Sequence, residues 1–174
     1  MEWRTAASLF VIAAGAGWTD LQSGKVKNGW ILLGVILGIM LRGWRFFPGA
    51  FPFALAGFFL FRFRMMGAGD GKLASLIGGY LGLWQGLCAV GLGLLFASLW
   101  AVWKLAGAGE GKAGCVTRFF RLFRYARTVM RTGQIEPYVE FEQMSRHEKI
   151  PLGACLAAGV FVHGAICYLG NLKI

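Results

Sequence analysis

Aspartate is nearly absent from this chain: it occurs twice in 174 residues, at positions 20 and 70. Charge of any kind is scarce, at 15% of residues, where an ordinary soluble domain carries about 25%. Histidine also occurs only twice, and neither His147 nor His163 has ligand-like neighbours in sequence. The four cysteines, Cys88, Cys115, Cys155 and Cys167, form no C-x-x-C pair. That argues against a zinc ribbon or a disulfide framework. Three of them lie in apolar runs and read as small hydrophobes. HExxH, GxSxG and a Cys–His spacing are missing, so metallopeptidase, serine hydrolase and cysteine protease chemistry lack their usual signatures. No metal and no cofactor is expected. Strict polar–apolar alternation is missing too, which argues against a transmembrane β-barrel.

What is present is apolar. Hydrophobic residues make up 57% of the chain and the mean hydropathy is +0.59. They gather into runs at 5–19, 29–41 and 46–61, in a long stretch between Lys72 and Lys104, and in a run at 150–169. The stretch after Lys72 is too long for one helix at 1.5 Å per residue across a ~30 Å hydrocarbon core. It divides into a short helix at about 73–83 and a full one at about 86–103. Pro48 and Pro52 place the start of the third helix near themselves, since proline suits a first turn. The fold class is therefore all-α: a polytopic membrane protein with about six transmembrane helices, because separate short runs can satisfy their backbone in lipid only as helices. The first run resembles a signal peptide, with Arg4 before it and Ala14-Gly15-Ala16 near its end, but everything downstream is equally apolar and the run is read as a retained helix.

Residues 1–174 read as one membrane-embedded domain with a basic segment at about 104–149. In that segment Arg118, Arg121, Arg124, Arg127 and Arg131 recur every three or four residues among aromatics. This predicts an amphipathic helix on the membrane surface. The net charge of +10 then fits anionic lipid as a partner. Nucleic acid is not expected, for want of any recognised module. With the N-terminus outside, fourteen of the eighteen Lys and Arg fall on the cytoplasmic side, as the positive-inside rule prefers.

That topology brings Asp20, at the end of the first helix, and Asp70, before the fourth, to the same membrane face. Asp70 sits in Gly67-Ala68-Gly69-Asp70-Gly71-Lys72. Glycines remove side-chain bulk and free the backbone, so an extended peptide can approach the carboxylate. A plain helix cap at Asp70 would not need them. Lys72 is near enough in sequence to hold a carboxylate ionised, or to snorkel to the interface. Two carboxylates a few Å apart share a proton and split their pKa values. One then activates water while the other polarises the carbonyl and protonates the leaving amine.

Gly67-Ala68-Gly69-Asp70 followed by Lys72-Leu73 resembles the GxGD motif of membrane aspartic proteases, and within them the type IV prepilin peptidases. Asp20 with Val26 and Asn28 resembles that family's first motif, an aspartate followed by Ile-Pro-Asn, with Lys27 standing in the proline position. The resemblance covers about 5–105 and, more loosely, the last helix. It implies six helices and two catalytic aspartates near the cytoplasmic face, Asp20 and Asp70, with Gly67, Gly69, Lys72 and Asn28 supporting substrate approach. It implies removal of the basic leader from prepilin or pseudopilin substrates in the cytoplasmic membrane. Long forms carry an N-terminal domain with paired cysteines and a methyltransferase activity. This chain resembles the short forms, so peptidase activity without methylation is expected. Two other readings were weighed. A presenilin or signal-peptide-peptidase type protease would place its partner aspartate in a Tyr-Asp pair within a longer chain. A small proton or cation transporter would use intramembrane carboxylates and an internal repeat; here both aspartates fall at helix ends and no repeat is seen.

Overall fold

The computed structural model describes residues 3–24, 26–63, 66–107 and 151–171. Among them every regular element is a helix. They are α1 (Trp3–Ser23), α2 (Asn28–Arg42), a single 3-10 turn (Gly43–Arg45), α3 (Phe46–Arg62), α4 (Ala68–Leu81), α5 (Leu83–Gly107) and α6 (Leu152–Asn171). Three stretches are long and apolar enough to cross a membrane: Asn28–Arg62, Leu83–Lys104 and Leu152–Gly170. The first is not one rod. Gly43, at φ 55°, breaks it into α2 and α3, a conformation glycine adopts without a Cβ penalty. The 14 residues of α4 reach about 21 Å at 1.5 Å each, short of the ~30 Å hydrocarbon core.

Two boundaries differ from the sequence expectation. The third helix starts at Phe46, which leaves Pro48 in its first turn but Pro52 inside it. An interior proline forgoes the N–H that would bond back to residue 48. Close packing by α4 covers this region, and Ser75 donates to the Ala50 carbonyl at 3.0 Å. The fourth helix begins at Ala68 rather than near 73, so Asp70 lies within its first turn, and the N-cap is Gly67.

The chain divides into two compact units, Met1–Ala97 with Pro151–Ile174, and Ser98–Ile150. Of the second, only 98–107 is described, where the rings of Trp100 and Trp103 meet edge to face at 5.7 Å. The basic helix expected over Arg118–Arg131, together with Cys115, His147 and the glutamates at 136, 140, 142 and 148, lies outside the described residues.

In the first unit, contacts fix the helix directions. Along α1 and α2, Gly15 meets Trp30 and Ile12 meets Gly34, so the pair is antiparallel. Along α3 and α4, Gly49 meets Gly78 while Gly57 meets Gly71, again antiparallel. Gly17 meets Ala154 and Ala157, and Phe10 stacks on Phe161 at 5.1 Å, so α6 runs against α1. Lipid offers no hydrophobic drive between helices, so small residues and hydrogen bonds hold them. A Cβ on Gly49 would come 2.3 Å from the Gly78 carbonyl oxygen. Tyr80, fully buried, donates its hydroxyl to the Gly34 carbonyl at 3.0 Å. The consequence for the site is directional. The end of α1, the starts of α2, α4 and α6, and the end of α3 all meet at one end of the unit.

Candidate active site

Asp20 arrives at that end in the last turn of α1. The helix closes on Gly24, at φ 64°, whose N–H donates to the Asp20 carbonyl at 2.7 Å. This is a left-handed glycine C-cap. The carboxylate of Asp20 is buried, at 6% exposure. A helix C-terminus carries partial negative charge and is a poor place for an anion. A second helix compensates: the Ala154 N–H, in the first turn of α6, donates to Asp20 Oδ2 at 3.3 Å. The Gly153 N–H also acts on the carboxylate. Burial pushes the Asp20 carboxyl above its ordinary range, and those two N–H groups pull against that rise.

Asp70 comes from the first turn of α4 and is half-buried. Its side chain turns back toward the N-cap. A Cβ on Gly67 would lie 2.9 Å from Asp70 Oδ2. Burial and then the negative charge of Asp20 push the Asp70 carboxyl up to about 6. The N-terminus of α4 should favour its anion, but the two opposing effects outweigh that. Both aspartates lie outside the three apolar spans. The two carboxylates, fifty residues apart in sequence, therefore interact electrostatically.

The remaining expected residues fall around them. Lys72 donates to Asn28 Oδ1 at 3.3 Å, tying α4 to the start of α2 at an exposed position. The observed partner of Lys72 is thus Asn28 rather than a carboxylate. The glycines beside Asp70 have packing duties. Gly67 leaves room for the Asp70 carboxylate, Gly69 faces Val26 with 3.3 Å to a would-be Cβ, and Gly71 lies against the Gly57 backbone. Gly67 alone of the three is exposed.

Sequence reasoning missed Gly153 and Ala154, and named Val26 only as part of the first motif. Val26 is buried against both the Gly69 and the Gly153 backbone, so the third strip of the site is a hydrophobic brace. Backbone N–H donors carry no residue signature, and α6 enters from 134 positions away. Pro151 followed by Leu152-Gly153 was the available hint of a helix start there.

A cavity of about 370 Å³ runs between α2, α3 and α4, lined mainly by apolar side chains such as Val35, Phe58 and Phe61, and also by Lys72; Asp70 does not line it. Compared with protein-family models, characterised proteins and solved structures, the chain matches none of them.

Proposed function

We propose that the chain is a membrane aspartic endopeptidase of the type IV prepilin peptidase kind. The observation that carries this reading is the Asp20–Asp70 pair. Two aspartates from different helices meet at one end of the unit, and the charge on one raises the pKa of the other. A carboxylate pair that shares a proton holds one base and one acid at the same pH. Peptide hydrolysis needs that pairing and nothing further.

In this reading the helical runs make six passes, the short α4 among them as a helix buried against α2 and α3 rather than a full-length span, with the N-terminus outside. The run at 5–19 crosses the membrane and delivers Asp20 at its cytoplasmic end. The short helix α4 starts at the same face with Asp70. The enzyme sits in the cytoplasmic membrane, with its basic residues toward anionic lipid. Its substrates are prepilins or pseudopilins, cut between a basic leader and a hydrophobic stretch. Lys72 and Asn28 support the α4–α2 contact beside the pair, and the exposed Gly67 leaves an open approach.

Co-expression with a candidate prepilin, followed by gel analysis, tests this. The wild-type chain removes the leader, and Asp20→Asn and Asp70→Asn each leave the precursor intact. Retained cleavage in both variants rejects a two-aspartate peptidase.

A further inference from the structure

The two carboxylates differ in one respect that the pairing alone does not require. Asp20 is seated on the first turn of α6, accepting the Ala154 N–H at 3.3 Å with Gly153 beside it. The fit there is close: a Cβ on Gly153 would lie 3.0 Å from Asp20 Oδ2 and 2.9 Å from Val26 Cγ2. Among the described residues, no comparable donor is recorded on Asp70, whose Oδ2 faces Gly67 instead. Hydrogen bonds from N–H groups to a carboxylate favour its charged form, and a helix N-terminus adds to this.

We infer that the first turn of α6 is a positioning element that fixes the division of labour in the pair: Gly153 and Ala154 hold Asp20 as the anionic base, so the shared proton resides on Asp70. This rests on the peptidase reading above. The first unit brings few other charges to Asp20. From α4 come Asp70 and Lys72, the latter bonded to Asn28 of α2. The start of α2 adds Lys27, which is exposed. From α6 comes the Cys155 thiol, next in sequence to Ala154.

The chemistry follows with every proton accounted for. Water attacks the scissile carbonyl carbon while Asp20 takes one of its protons. Asp70 gives its proton to the carbonyl oxygen, which leaves a neutral gem-diol. The C–N bond then breaks as Asp20, rather than the carbonyl-polarising acid expected from the sequence, passes the proton it took from water to the leaving nitrogen. Asp70 recovers a proton from a diol hydroxyl as the new acid forms. Both side chains end as they began.

Because the chain has only two aspartates, protein labelled with [γ-¹³C]aspartate gives two carboxyl resonances in detergent micelles. Asp20→Asn and Asp70→Asn assign them. We expect the Asp20 resonance to titrate at the lower midpoint in the full-length wild-type chain. Ala154→Pro removes the N–H at a first-turn position where proline is tolerated. It should raise the Asp20 midpoint by about one pH unit. Ala154→Gly keeps the N–H and should leave the midpoint where it was. Equal or reversed midpoints in the wild type overturn the assignment, and that readout stands even if Ala154→Pro does not fold. An unmoved Asp20 midpoint in folded Ala154→Pro overturns the role of α6. These titrations do not depend on any peptide being cut. Failure of the peptidase reading would appear separately, as absent leader removal.

Discussion

Gly57 of α3 and Gly71 of α4 lie backbone against backbone one residue from Asp70: a Cβ on Gly57 would come 2.9 Å from the Gly71 Cα, and one on Gly71 would come 3.2 Å from the Gly57 Cα. Neither neighbour is a flexible side-chain end that can swing away. The start of α4, and with it Asp70, is positioned by this contact.

Gly57→Ala therefore forces α3 and α4 apart where Asp70 emerges. Overpacking of this kind costs about 1–3 kcal/mol. The expected outcome is a lower Tm in micelles and at least a tenfold loss of cleavage. Gly91→Ala, where a Cβ meets nothing within 4 Å, should leave both within error of wild type.

The raised carboxyl at Asp70 makes stability depend on pH with a defined sign. Its folded value of about 6 stands above the ordinary aspartate value of 3.8. The folded state thus binds the proton more tightly than the unfolded chain does. The resulting stabilisation is complete below pH 3.8 and is lost as pH rises through 6. Asp70→Asn removes the charging cost. Relative to wild type it should be more stable at pH 8, on the order of 1–2 kcal/mol after allowing for partial exposure, with the gain vanishing near pH 4. Thermal melts of the two proteins across that range check this. Cleavage by the wild type should fall as pH rises through about 6, where Asp70 gives up its proton.

Arg42 lies at the opposite end of the unit. Its guanidinium donates to the carbonyls of Gly79 and Tyr80, the last turn of α4, where a cation complements the helix dipole. Arg42→Ala should lower stability by about 1–2 kcal/mol while leaving the cleavage rate per folded molecule within twofold. A melt and a rate measured on the same preparation separate the two effects.

The Lys72–Asn28 hydrogen bond is exposed and 3.3 Å long, so it contributes modestly. Asn28→Ala should reduce cleavage by less than tenfold, whereas loss of either carboxylate removes about 10²–10⁴-fold or more. Comparing kcat across Asn28→Ala, Lys72→Ala and the two aspartate variants checks the order.

All six described helices were legible from apolar runs and lysine or arginine punctuation. Their ends were less so. Glycines at 67, 69 and 71 look like a helix breaker in sequence, yet α4 runs through two of them, because Val26 and Gly57 need the space that side chains would fill. Pro52 likewise sits inside α3, where neighbouring α4 covers the gap. Gly78 and Gly86 meet each other, but Gly82, at φ 86°, is the turn between α4 and α5. The two aspartates were found by rarity and topology. Of their surroundings, Val26 was visible only through the first motif, and a backbone N–H donor on a distant helix leaves no motif at all.

The central claim is that Asp20 and Asp70 act together as a peptidase pair. Its most direct test is cleavage by the purified chain in liposomes of anionic lipid, with a synthetic peptide joining a basic leader to a hydrophobic stretch, and mass spectrometry of the products. The account predicts one cut at that junction by the wild type and none above background by Asp20→Asn or Asp70→Asn. Cleavage at the wild-type rate by either variant would contradict it.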